Sequence, residues 1–123
     1  MIAALLLMLG GMSDVPPNWT EAGRTDNVQV YVDLTSIKRV DAKTRLAWVR
    51  QQLNKPRDNG VVFYVARERF DCENEMSGLI MLNQYGDSGN LLYSEMYQPS
   101  EVQMRPKPPG TVALTALKMV CAR

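Results

Sequence analysis

"VVFYVARERFDC", residues 61–72, contains no proline, glycine or asparagine and is dense in β-branched and aromatic residues. That composition suits a strand packed inside a sheet. Alternation assigns Val62, Tyr64, Ala66, Phe70 and Cys72 to one face, with Glu68 as a charged member among them. Val61, Phe63, Val65, Arg67, Arg69 and Asp71 then share the other face.

Neighbouring segments repeat the pattern. Upstream, "NKPRDNG" (54–60) is a break built on Pro56 and Asn59-Gly60. Before it, "KTRLAWVRQQL" (43–53) places Leu46, Trp48 and Arg50 on one face and Ala47 and Val49 on the other. "NVQVYVDLTSI" (27–37) alternates Val28, Val30 and Val32 against Gln29, Tyr31 and Asp33. It ends in a turn where Asp33, Thr35 and Ser36 can bond local backbone. Trp19 is expected to anchor the core near the start of a first short strand, after Pro16-Pro17. Downstream, "SGLIMLNQY" (77–85), with Gly78 a candidate bulge, and "LLYSEMY" (91–97) flank a hairpin loop, "GDSGN".

The texture then changes. "QPSEVQMRPKPPG" (98–110) is irregular and leads into "TVALTALKMVCAR". There Thr111 can cap a helix. Ala113, Leu114, Leu117, Val120 and Cys121 fall at helical spacing on one face, and Lys118 lies in the last turn. The predicted fold class is α+β: about six strands in an antiparallel meander, with one C-terminal helix covering an apolar sheet face.

Composition narrows the function. The chain has 123 residues, enough for one domain. Its 14 basic and 13 acidic residues leave a net charge of +1, without the basic excess expected of a nucleic-acid binder. There is no histidine, which removes Ser-His-Asp catalysis, HExxH zinc sites and histidine metal ligands. No phosphate-binding glycine motif occurs. No enzyme activity, cofactor, metal or small-molecule substrate is therefore expected. Asp71, Glu73 and Glu75 read as a solvated acidic turn.

"MIAALLLMLGGMS" carries no charge, and its apolar run, Ile2 to Leu9, is too short to span a bilayer. It fits the apolar region of a signal peptide over residues 1–13, with small residues before a cleavage point after Ser13. No Lys or Arg precedes the run, so the positive leading region is expected to be incomplete, and no cysteine follows it to take a lipid. An exported chain meets oxidising surroundings. Cys72 and Cys121 are then either a disulfide linking sheet and helix or a pair of buried thiols. The disulfide is the favoured reading; closing a loop of about 50 residues adds roughly 4 kcal/mol. Lys55, Arg57, Arg67 and Arg69, with Arg105 and Lys107, are the candidate partner-binding residues, suited to steering an acidic partner.

The landmarks together resemble the surface-adhesin protein E family, small exported proteins of Gram-negative bacteria. They are Trp19, "VYVDLTSI" (30–37), "LAWV" (46–49), "RFDC" (69–72), "LNQYGDSGN" (82–90) and "PPGTVALTALKMVC" (108–121). The resemblance implies one adhesin E-like domain over residues 14–123. It also implies a six-stranded sheet whose helix is tied back through Cys72–Cys121, and a periplasmic or outer-surface location. The partner it implies is a protein: a host extracellular-matrix protein, or a second copy in a homodimer. A structural or accessory subunit of an envelope assembly is the alternative.

Overall fold

A computed structural model describes residues 15–123; the expected signal peptide, 1–13, lies outside the described residues. The six long strands are β1 (Trp19–Arg24), β2 (Val28–Asp33), β4 (Thr44–Leu53), β5 (Phe63–Asp71), β6 (Met76–Tyr85) and β7 (Leu91–Met96). They pair in the order β1-β2-β4-β5-β6-β7, every pair antiparallel. Two short strands complete the sheet. β3 (Lys38–Arg39) pairs with β4, and β8 (Arg105–Pro106) pairs with β6. The expected meander is present, with an α+β layering completed by helix α1 (Val112–Cys121).

Local chemistry sets the breaks between strands. Asp33 caps a single 3-10 turn, Leu34–Ser36, by accepting from the Thr35 backbone N–H. Ser36 Oγ then accepts from the Trp48 backbone N–H at 2.9 Å, tying the turn to β4. The β6–β7 hairpin closes through the Gly86 N–H donating to the Asn90 carbonyl. Thr111 caps α1, its Oγ1 accepting from the Leu114 N–H.

The core is one-sided. Val30 and Val32 of β2, Ala47 and Val49 of β4, and Phe70 of β5 pack against Leu114, Ala116, Leu117 and Val120 of α1. The strand residues share one parity, so the helix covers a single face. Arg45 is also on that face and is 5% exposed; its Nη1 donates to the carbonyls of Asp41 and Thr44.

A disulfide joins Cys72, just after β5, to Cys121, the last residue of α1, with Cα atoms 5.7 Å apart. The helix is thereby stapled to the sheet at its C-terminal end.

Four details differ from the expectations. Trp19 is half-buried at the start of edge strand β1 and does not join the core cluster. Ala113 is exposed and Ala116 buried in its place; Ala113 lies in the first turn, over the margin of the sheet where Val112 meets Gly23. The bulge in β6 falls at Ile80, between Leu79 and Met81, rather than at Gly78, which pairs regularly with Arg69. Val61 precedes β5 and is almost fully buried, grouped with Gln84, Leu92 and Tyr93, where Val62 continues the ladder by bonding Leu53 and Tyr85.

Candidate functional site

The sheet face opposite α1 carries the other parity of each strand. Across it, Trp48 of β4 stands opposite Arg67 of β5, which stands opposite Met81 of β6 and then Met96 of β7. One row along, Tyr31, Arg50, Val65, Asn83 and Ser94 line up in the same way. Gln52, Phe63 and Tyr85 form a third row. None of the core side chains packed under the helix belongs to this face.

Its side chains are held in place by stacking. Phe63 and Tyr85 stack with ring centroids 4.7 Å apart. The Arg50 guanidinium lies over the Phe63 ring at 3.9 Å, and its Nε and Nη2 donate to Gln52 Oε1. Arg67 lies over Trp48 at 5.9 Å. Ring faces attract cations in this arrangement. Partial burial lowers the tendency of Arg50 to hold its proton, and Tyr31 and Tyr85 act against that.

The electrostatics of this face are uneven. Among the described residues, Arg50, Arg67 and Arg69 form no ion pair; the pairs present are Arg24–Glu21 and Lys43–Glu73. Arg67 Nε is buried and has no hydrogen-bond partner. Three carboxylates share this parity at the margins, and all are engaged locally. Glu21, opposite Tyr31, is paired with Arg24. Asp33 accepts from Asn18 and Thr35. Asp71 accepts from the Glu73 and Asn74 N–H groups and the Asn74 side chain, which hold its carboxyl below the usual range. Three guanidiniums therefore stand half-buried on this face, none of them in an ion pair among the described residues.

The six basic residues singled out in the sequence are distributed over three places. Arg67 and Arg69 are on the open face. Lys55 and Arg57 are exposed in the β4–β5 loop at the Phe63 end of the sheet, roughly 20 Å along β5 from Arg69 at strand rise. Arg105 and Lys107 lie on and just after β8, beside Ser77, and line a groove on the helix side of the sheet with Glu68. They do not form one patch. Arg50, Trp48, Tyr31, Phe63 and Tyr85 were not among the site candidates. The signal that finds them is parity: each shares a face with Arg67 once the register is fixed.

Asp71, Glu73 and Glu75 form no metal-holding group, and no cluster of three or more such ligands occurs among the described residues. No helix among the described residues is long and apolar enough to cross a membrane.

A one-sided antiparallel sheet, with a stapled helix on one face and stacked arginines on the other, defines a class: a small disulfide-linked α+β domain. The chain belongs to the surface-adhesin protein E family, whose model matches residues 19–122. Its fold is similar to Haemophilus influenzae protein E in crystal form II, with TM-score 0.66 at 14% identity over 89% of this chain and 91% of that one. Another Haemophilus influenzae protein E structure gives TM-score 0.65 at 18% identity, covering 89% and 88%. Protein E from a non-typeable strain gives 0.57 at 16%, covering 89% and 79%. No curated protein matches the chain.

Proposed function

We propose that this protein is an exported, non-catalytic binding module of a Gram-negative envelope, and that it engages host extracellular-matrix protein through the open sheet face. The observation that carries the reading is the set Arg50, Arg67 and Arg69, half-buried on one face and without ion pairs among the described residues. Arg50 and Arg67 are held over Phe63 and Trp48 and so are already ordered, and less side-chain entropy is lost when a partner docks. Charge of this kind steers an acidic partner and makes binding salt-sensitive. The family's adhesin character supports the same reading.

The test is binding to a panel of purified matrix proteins at rising salt. Binding that weakens with salt, and falls by about tenfold or more in Arg50→Gln/Arg67→Gln/Arg69→Gln, is the expected result. Lys55→Ala/Arg57→Ala serves as the comparison set on the loop. Absence of binding across the whole panel at low salt overturns the matrix reading.

A second reading, a subunit of a homodimer or of a larger envelope assembly, is favoured by β7. This strand ends the sheet with Leu91, Leu92, Tyr93 and Met96 all exposed. An apolar edge with unpaired backbone groups accepts a strand from another chain.

A further inference from the structure

Helix α1 covers only the β1–β2–β4 part of its face and the Phe70 end of β5. Beyond it, β5, β6 and the segment 97–107 enclose a groove of about 510 Å³. That volume suits a small molecule or a partner's side chain. Glu68 lines the groove from the middle of β5, between two apolar cross-strand neighbours, Ala47 and Leu79. Ser77 Oγ donates to Glu68 Oε1 at 3.0 Å. The other oxygen, Oε2, has no hydrogen-bond partner among the described residues.

The charged groups facing Glu68 do not complete it. Lys107 lines the groove and acts on Glu68 through space, but the two do not approach within ion-pair distance. Arg105 Nη2 donates to Gln103 Oε1. Glu101 Oε1 is taken by the Gln98 backbone N–H. Tyr97 completes this side of the groove. Glu68 is half-buried, and a carboxylate partly removed from water with one hydrogen bond is costly to keep ionised; burial pushes its carboxyl up from the ordinary range, against the Ser77 hydrogen bond and the Lys107 charge.

We propose that this groove is a binding site for an alkylammonium group, seated on Glu68 Oε2 with its carbon chain over Leu79 and Tyr97. A guanidinium binds best when it spans both carboxylate oxygens, and Ser77 already occupies one. A compact ammonium needs only the open one. Two sources carry this chemistry: a free aliphatic amine, and a lysine side chain of another protein. The site lies on the sheet face opposite the stacked arginines and is independent of the binding role assigned to them.

The experiment uses the full chain with carboxyl-labelled glutamate, titrated by NMR with n-butylammonium and, separately, with Nα-acetyl-lysine methylamide. A saturable shift of the Glu68 side-chain carboxyl is expected, weakening as acid protonates it. Tighter binding of the lysine derivative assigns the site to a protein lysine; equal or tighter binding of butylammonium assigns it to free amines. Glu68→Gln, which keeps the shape and can still accept from Ser77, should weaken binding by about tenfold or more. Lys107→Met should tighten it, because it removes a competing cation. No saturable shift in the wild type, unchanged binding in Glu68→Gln, or weaker binding in Lys107→Met overturns the proposal. The last result makes Lys107 the structural partner of Glu68.

Discussion

Cys72, the residue after β5, is bonded to Cys121, the last residue of α1, across 49 positions of sequence. The helix reaches its sheet only through a short apolar stripe, so the bond carries a large share of its attachment. Breaking it by Cys72→Ser/Cys121→Ser is expected to cost about 4 kcal/mol in the chain-entropy view. Denaturant titration with and without reductant measures this. Equal midpoints under both conditions would show that apolar packing alone holds the helix.

Gly78 is regular strand, yet a side chain there has no room. A Cβ would stand 2.7 Å from the Gln103 carbonyl oxygen, 2.9 Å from Val102 and 3.0 Å from Met104 Sδ. The closest obstacle is backbone, so the 97–107 segment must shift. Gly78→Ala is expected to cost about 1–3 kcal/mol and loosen that segment. Hydrogen exchange checks the locality of the effect. The Lys107 N–H, bonded to the Glu75 carbonyl, should exchange faster while the β4–β5 ladder is unchanged.

The strands, their order and the helix were readable because one signal, alternation with turn residues at the breaks, recurs along the chain. Val30, Val32, Ala47 and Val49 declare their face by parity alone. What could not be read is what lies against each face. Ala113 has the correct helical angle yet is exposed, because the first turn of α1 sits at the sheet margin. Gly78 looked like a bulge, since sequence does not show that another segment passes 2.7 Å from it. The same limit applies to the site. Arg67 and Arg69 were visible as basic residues, but Arg50 counts as their neighbour only after β4 and β5 are in register. Glu68 was visible as an anomaly in an apolar row, while the groove it lines is made by residues 97–107.

β7 offers the simplest test of self-association. Leu92 is 44% exposed and Met96 66% on the edge strand. Leu92→Lys places a charge where a second strand would pair. If copies pair through this edge, light scattering should show a concentration-dependent dimer for the wild type and a monomer for the variant. A wild type that stays monomeric throughout removes the homodimer reading.

The N-terminal reading is decided by intact mass. Protein recovered from its native host should lack about the first 13 residues, as signal cleavage after Ser13 requires. Alkylation without reductant should add no mass, because both cysteines are bonded. A retained apolar N-terminus would sink the exported reading.

Glu68 makes stability depend on pH in an uncommon direction. Burial is the largest influence on its carboxyl and raises its pKa; the Ser77 hydrogen bond and the Lys107 charge oppose that. In the unfolded chain it should ionise near about 4.3. Between that value and the raised folded one, the folded state keeps a proton that the unfolded state has released. Stability therefore falls as pH rises through this window: the contribution is fully present below the unfolded value and lost above the folded one. Asp41 and Asp71 act oppositely. Backbone and side-chain donors hold both below the ordinary range, so their contribution is lost as pH falls through the depressed values. Melting temperatures of wild type and Glu68→Gln from about pH 2 to about pH 8 separate the two effects. The variant should be the more stable at neutral pH, and its advantage should shrink toward the acid end. Both proteins should still lose stability in acid, because the aspartates are untouched. A Glu68→Gln variant less stable than wild type at neutral pH would mean that the ionised carboxylate, with Lys107, holds the 97–107 segment to the sheet.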